Sequence, residues 1–326
     1  MTARVPVGVV GVGALGRHHA RHYAQNPAAE LVGVYDRDAA RAKQVADEVG
    51  TTAFTDLDAL LAKVKGVSCA VITSAHHEVG LRILERGVGV LMEKPIATTV
   101  AEADALIAAA DRAGLPLHVG QIERFNRAVR AAEPHLDDPR YIECQRLAPF
   151  AVRGSDVSVI LDLMVHDIDL VLYLTGARAA TEIRAVGTRL LSPHIDLVNA
   201  RLELDGGQVA TLTTSRLSPA RVRRTRVFQQ NGYLTLDLHA GTGEFVKMKG
   251  GWAPERPEGQ ALEEVVERIP LAAPEADALG LETRFFVEAL RGEKNPGVTG
   301  PEGRAVLALA LAVADAVDQK PLLAGR

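Results

Sequence analysis

A lysine that closes an apolar strand and is followed at once by proline is a side chain with a fixed aim. Glu93-Lys94-Pro95 comes directly after the run Val88 to Met92, and Pro95 restricts the turn that presents Lys94. Most lysines in turns are simply solvated. At a binding rim, a partly desolvated ammonium can give up its proton near neutral pH and serve as a base. A second set suited to proton transfer lies later, where Ser158, Asp162, His166, Asp169 and Tyr173 recur at spacings of 4, 4, 3 and 4 in an apolar segment. On an α-helix these five occupy an arc of about 80°. Asp162 and His166 stand one turn apart, so the carboxylate can hold the imidazole and raise its basicity. Such residues could equally satisfy one another inside a core, and the spacing leaves both readings open.

The amino-terminal run Val5-Pro-Val-Gly-Val-Val10 leads into Gly11-Val-Gly13-Ala-Leu-Gly16 and then into a polar helical stretch, Arg17 to Ala24. In a strand–turn–helix setting Gly11 permits the tight turn, Gly13 lets backbone approach a pyrophosphate, and Gly16 lets the helix pack on the strand. Ala14 and Leu15 complete the phosphate-facing segment, whose free amides suit an anion. A second apolar run, Leu31 to Tyr35, ends at Asp36, twenty residues after Gly16. That is where a dinucleotide fold needs an acid for the adenosine ribose. Asp36 would repel a 2′-phosphate, which favours NAD; Arg37 beside it could accommodate one, which keeps NADP as the lesser expectation.

Further strands fit Val67 to Thr73 and Leu117 to Gly120, with helices over His77 to Arg86 and Val100 to Ala113. The alternation predicts a mostly parallel sheet of Rossmann type, whose ligands bind at the carboxyl ends of the strands. Thr73, Ser74, Glu93, Lys94 and Gln121 all fall on that rim.

Beyond Gly120 the texture changes. Alternating or β-rich runs at Tyr141 to Leu147, Glu182 to Leu190, Asp196 to Leu204, Gln208 to Thr214, Arg223 to Gln229 and Tyr233 to Leu238 predict a large antiparallel sheet. Asp205-Gly206-Gly207 and Asn231-Gly232 are hairpin signals. One helix, Asp156 to Leu174, interrupts the strands, and two more, Ala278 to Arg291 and Pro301 to Val317, follow a Pro- and Glu-rich loop at Pro254 to Gln260. The expected fold is thus α/β: an amino-terminal Rossmann domain over 1–121, and a carboxy-terminal α+β domain over 122–326 with a large open, mainly antiparallel sheet.

Composition excludes other classes. At 326 residues the chain is long enough for two domains, and 47% hydrophobic with 24% charged residues is globular usage. Lysine plus arginine (37) against aspartate plus glutamate (41) gives a net charge of −4, which offers nothing to a phosphate backbone, so no nucleic acid is expected. No apolar stretch reaches membrane-spanning length. Cys69 and Cys144 have no CxxC or Cys/His cluster around them and suit reduced, buried thiols in a cytoplasm. His18, His19 and His22 lack a third ligand type nearby, so no metal is expected.

The glycine turn, Glu93-Lys94-Pro95, the segment Gly120-Gln-Ile-Glu-Arg-Phe-Asn126 and Asp162-x-x-x-His166-x-x-Asp169 together resemble the Gfo/Idh/MocA oxidoreductases over almost the full chain. The resemblance implies that Lys94, Asp162 and His166 line the site where a sugar or cyclitol hydroxyl is oxidised, with a cis Lys94–Pro95 bond. It also implies homodimers or homotetramers built through the open sheet. Arg124 and Asn126, at the expected domain junction, are assigned to substrate. The segments around Asn126 and His166 look most like members assigned to nucleotide-sugar oxidation, in which the 3-hydroxyl of UDP-N-acetylglucosamine becomes a ketone. An inositol or free sugar is the alternative substrate, and a non-catalytic dinucleotide-binding regulator the alternative class. Arg216, Arg221, Arg223, Arg224 and Arg226 could serve a diphosphate, but most of them read as the solvent face of a strand.

Overall fold

The computed structural model describes residues 3–151, 157–250 and 261–319. These pack as two compact units, Met1–Ile122 with Ala276–Leu307, and Glu123–Glu275 with Ala308–Arg326.

In the first unit, strands β1 (Val5–Val10), β2 (Ala29–Tyr35), β3 (Thr52–Phe54), β4 (Gly66–Cys69), β5 (Gly89–Glu93) and β6 (Leu117–Gly120) form one sheet in the order β3-β2-β1-β4-β5-β6. Every pairing is parallel. The order reverses between β1 and β4, the switch point at which such sheets open a ligand crevice. Helices α1 (Gly16–Gln25), α2 (Ala39–Val49), α3 (Leu57–Leu61), α4 (His76–Glu85) and α5 (Val100–Ala113) connect the strands. Their ends are chemically marked: Asp38 caps α2, a Thr99/Glu102 capping box starts α5, and Gly50 and Gly114 end their helices in the left-handed region. Val7, Val9, Val34, Val67 and Val90 are fully buried, as strands covered on both faces require. Thr73, expected on a strand, instead opens a short 3₁₀ turn, Thr73–Ala75.

The second unit carries β7 (Tyr141–Leu147), β8 (Ala180–Thr188), β9 (Leu197–Leu204), β10 (Val209–Ser215), β11 (Val222–Gln229), β12 (Gly232–Asp237), β13 (Thr242–Met248) and β14 (Val266–Leu271). They form one sheet in the order β14-β13-β12-β11-β7-β10-β9-β8, antiparallel except where β7 lies parallel to β10. Alternation is clear on β7, where Ile142, Cys144 and Arg146 are buried and Tyr141 and Gln145 are exposed. Helices α6 (Arg127–Ala132), α7 (Val165–Thr175) and α8 (Leu262–Val265) belong to this unit. β13 and β14 escaped the sequence reading for physical reasons. Phe245 and Val246 are adjacent and both buried, which breaks the period of two, and Pro270 is tolerated in β14 because that strand is the sheet edge. The expected helix start Asp156 and the loop Pro254 to Gln260 lie outside the described residues.

Helix α9 (Ala278–Leu290) returns to the first unit, so the packing does not follow a single cut after residue 121. Asp277 caps α9 and meets His22 of α1 at 3.1 Å. Phe286 and Val287 are fully buried in the same cluster as Val5, Val7, Ala20 and Tyr23. The last helix, α10 (Gly300–Gln319), starts in the first unit and continues into the second.

Candidate active site

The glycine turn has the shape its sequence implied. Gly11 has φ +82°, and a side chain there would meet the Ala70 backbone at 2.8 Å. A Cβ on Gly16 would collide with the Gly11 carbonyl. Gly13 has open space around it, as a position facing a pyrophosphate must. No side chain caps α1; the Arg17 and His18 amides already donate to the Gly13 and Leu15 carbonyls, so an anion would be met by the turn just before them, where Ala14 and Leu15 are exposed. Asp36, at the end of β2, is 8% exposed and anchored to this loop. Its Oδ2 accepts the Val12 amide at 2.9 Å, and its Oδ1 accepts the Asp38 amide at 2.9 Å. The cation beside its carboxylate is Arg41, at 3.4 Å, a residue the sequence reading passed over; Arg37 is exposed. These features fit a dinucleotide: a close-approach glycine, an exposed turn before α1 and a fixed carboxylate at the ribose end.

Along the same rim, Lys94 follows β5, Gln121 follows β6, and Thr73 and Ser74 lie beyond β4. Gln121 is 1% exposed and its Oε1 has no hydrogen-bond partner among the described residues. The Lys94–Pro95 bond is cis, as the resemblance implied. Two buried histidines hold this turn, and sequence reasoning gave neither one the role. His76 places Nδ1 at 2.8 Å from the Pro95 carbonyl and Nε2 at 3.2 Å from the Val71 carbonyl. Burial pushes its pKa below the usual histidine value, which favours the neutral ring. His19 of α1 places Nε2 at 2.8 Å from Glu93 Oε1, while Glu93 Oε2 accepts the Lys94 amide at 3.2 Å. Burial alone would raise the Glu93 pKa, but the His19 contact and the Lys94 charge outweigh it and hold the carboxyl below its ordinary range.

His18, His19 and His22 point apart: His18 is exposed, His19 is buried against Glu93, and His22 faces Asp277. One ligand atom each of His19, Glu93 and Glu282 lies within 4.8 Å of the others. A tetrahedral zinc would hold two such donors about 3.3 Å apart. The 2.8 Å separation of His19 and Glu93 is that of a hydrogen bond.

In the second unit, the polar stripe lies on two kinds of helix. Ile160–Met164 is a π-helical turn, in which the Val165 amide reaches back to the Ile160 carbonyl, and α7 continues from Val165. Such wide turns collect at functional sites. Asp162 lies in the π turn and His166 in the first turn of α7, and both are half-exposed. Ser158 starts the helix by accepting the Ile160 amide.

Asp169, by contrast, is fully buried and receives the Arg124 guanidinium at 2.7–3.0 Å. Arg124 is 5% exposed and stacks over Tyr173 at 4.8 Å. Asn126 caps α6 and donates to Glu123 and to the Leu238 carbonyl. Arg124 and Asn126, both expected to serve substrate, thus also hold partners within this unit. Beside them Arg146 is held by Glu123 at 2.9 Å and Asp167 at 2.8 Å, all buried. Among the arginines considered for a diphosphate, Arg216 is buried against Asp196, and Arg226 lies over Phe228 and pairs with Glu143 on the sheet.

Residues 5–121 match the oxidoreductase family with an NAD-binding Rossmann fold, and residues 128–235 match the GFO/IDH/MocA C-terminal domain. The chain is 40% identical over 312 residues to the UDP-N-acetylglucosamine 3-dehydrogenase of Acidithiobacillus ferrooxidans, across 95% of this chain and 96% of that protein. A solved structure of that dehydrogenase, GnnA, superposes with a TM-score of 0.89 at 38% identity, covering 98% of this chain and 99% of the other. Myo-inositol dehydrogenase Hyg17 of Streptomyces leeuwenhoekii is 30% identical, over 76% of this chain and 82% of its own length. A similarity that spans both units, on a chain that keeps the glycine turn and Glu93-Lys94-Pro95, has one consequence: this protein belongs to the Gfo/Idh/MocA family of NAD-binding oxidoreductases.

Proposed function

We propose that this enzyme oxidises the 3-hydroxyl of UDP-N-acetylglucosamine to a ketone, with NAD as the oxidant. The observation that carries the substrate assignment is the end-to-end similarity to the Acidithiobacillus ferrooxidans dehydrogenase. Bound NAD supplies the hydride acceptor. The chain itself supplies the proton acceptor, Lys94 or His166, each on a segment fixed by its own unit. Asp162 orients His166 from the turn before it. Gly11, Gly13, Gly16 and Asp36 hold the dinucleotide, and Thr73, Ser74, Glu93 and Gln121 complete the rim.

Copies of the chain pair through the open sheet face, where Phe228 stacks on Tyr233 and lies tilted against Tyr141, each with ring centroids 5.5 Å apart, and Arg226 bridges to Glu143. The enzyme works in the cytoplasm, in keeping with two free, buried thiols, of which burial pushes Cys69 up to about 12. Among the described residues no helix is long and apolar enough to cross a membrane.

The test is reduction of NAD, followed by the absorbance of NADH, against UDP-N-acetylglucosamine, inositols and free sugars. Preferred turnover of the nucleotide sugar is expected. Preference for an inositol would move the chain to the cyclitol branch, and no turnover with any of them, despite NAD binding, would point to a regulator.

A further inference from the structure

Glu93 has a neighbour that its own motif does not contain. His19 lies 74 positions earlier on α1, yet its side chain is 0% exposed and its Nε2 is 2.8 Å from Glu93 Oε1. The other ring nitrogen is occupied too, because Nδ1 is 3.0 Å from Ser68 Oγ, and Ser68 Oγ is 2.8 Å from the Tyr23 hydroxyl. Tyr23 and Ser68 are both fully buried. A serine hydroxyl has one proton, so a chain of donations Tyr23 to Ser68 to His19 Nδ1 leaves the ring proton on Nε2, directed at Glu93. The far oxygen of the same carboxylate accepts the Lys94 amide at 3.2 Å. Space is reserved for it as well, since a Cβ on Gly120 of β6 would come within 3.2 Å of Glu93 Oε2. Three elements, α1, β4 and β5, thus converge on one carboxylate whose partner is the backbone of Lys94.

We propose that His19 is a positioning residue for the reaction: anchored by Ser68 and Tyr23, it fixes the Glu93 carboxylate and through it the turn that presents Lys94. The proposal rests on the reading that Lys94 acts in the chemical step. A buried donor whose ring is held at both nitrogens restricts Glu93 to one rotamer, and a side chain that reacts must be held to within a fraction of an ångström.

The experiment compares His19→Phe, His19→Gln and Lys94→Met in the full chain, with His19→Phe made also in a Glu93→Gln background. His19→Phe keeps the ring and removes both nitrogens, so kcat should fall on the order of 10-fold or more, while KM for sugar and Kd for NAD stay within about 2-fold of the parent. His19→Gln restores a donor toward Glu93 and should recover most of the lost kcat. In the Glu93→Gln background, His19→Phe should have little further effect, because its route to Lys94 is already cut.

Parent-like kcat in a folded His19→Phe protein overturns the proposal, as does an undiminished effect in the Glu93→Gln background or a glutamine variant no better than phenylalanine. Should His19→Phe fail to fold, Ser68→Ala carries the test: kcat should drop with KM unchanged, and an unchanged kcat overturns the relay. Lys94→Met separates the two levels. A fully active Lys94→Met enzyme removes the catalytic reading and the proposal with it, whereas an inactive one beside a normal His19→Phe removes the proposal alone.

Discussion

Asp36 does two jobs with one carboxylate. It ties the glycine loop down through the Val12 amide, and in the proposed function it also faces the adenosine ribose of NAD. Asp36→Ala should weaken NAD more than NADP, measured by calorimetric titration with each cofactor. NADP binding to the parent as tightly as NAD would defeat the assignment. Because Arg41 is the cation 3.4 Å from that carboxylate, any NADP affinity that appears in Asp36→Ala should vanish on adding Arg41→Ala. Lys94→Met retains much of the stem and loses the ammonium, so kcat should fall on the order of 10²-fold or more while NAD still binds. Steady-state kinetics with near-normal kcat would return Lys94 to the ordinary solvated lysines.

At this scale the glycine turn, Asp36 and Glu93-Lys94-Pro95 were readable because each is a local spacing. The partners His19 and Glu93 were not, because their contact spans 74 positions and depends on how α1 lies over the sheet. Histidine clusters suggest metals to a reader of sequence, whereas here each ring has gone its own way.

Between Ser158 and Tyr173 the chain shows how an element can mislead. The sequence spacing treated the stripe as one face of an α-helix, but the π turn at Ile160–Met164 resets the rotation, and no residue type announces such a turn. Only the buried partners then tell the stripe's members apart. Asp169 is locked to Arg124, whereas Asp162 and His166 remain half-exposed. Opposite outcomes follow for two substitutions on neighbouring segments. Arg124→Ala strands a buried carboxylate and should cost about 3–5 kcal/mol of stability. His166→Asn leaves groups that water can reach, so its thermal midpoint should stay near that of the parent while turnover is lost. Thermal melts and kinetics on the two proteins decide it; an unstable but active His166→Asn enzyme would place the chemistry elsewhere.

Across the molecule, acid should find the first unit through its buried imidazoles. Burial lowers the pKa of His118 from 6.5 to about 4, and His76 shifts in the same direction. A lowered pKa means that the unfolded chain binds the proton more readily, so this stability is complete above pH 6.5 and is lost as pH falls from 6.5 toward about 4. For His118 the loss is roughly 3 kcal/mol over that window. His118→Phe should therefore flatten the fall in urea midpoint between neutral and mildly acid pH, and a slope identical to the parent's would refute the assignment.

The two-part plan was legible from the change of texture near Gly120, where buried parallel strands give way to alternating ones. The return of α9 was not, since its apolar spacing says that it packs and not on what. That return sets an order of events during synthesis. The first 122 residues leave the ribosome with their sheet strands complete but without Phe286 and Val287, which belong to the same core cluster. The nascent dinucleotide unit must wait, with that apolar surface uncovered, until all of Glu123–Glu275 has been translated. Residues 1–122 produced alone should accordingly be aggregation-prone, and adding a separate peptide that spans Ala276–Leu307 should rescue their solubility. For this chain, the part that binds the cofactor is begun before the second unit and completed only after most of that unit has been made.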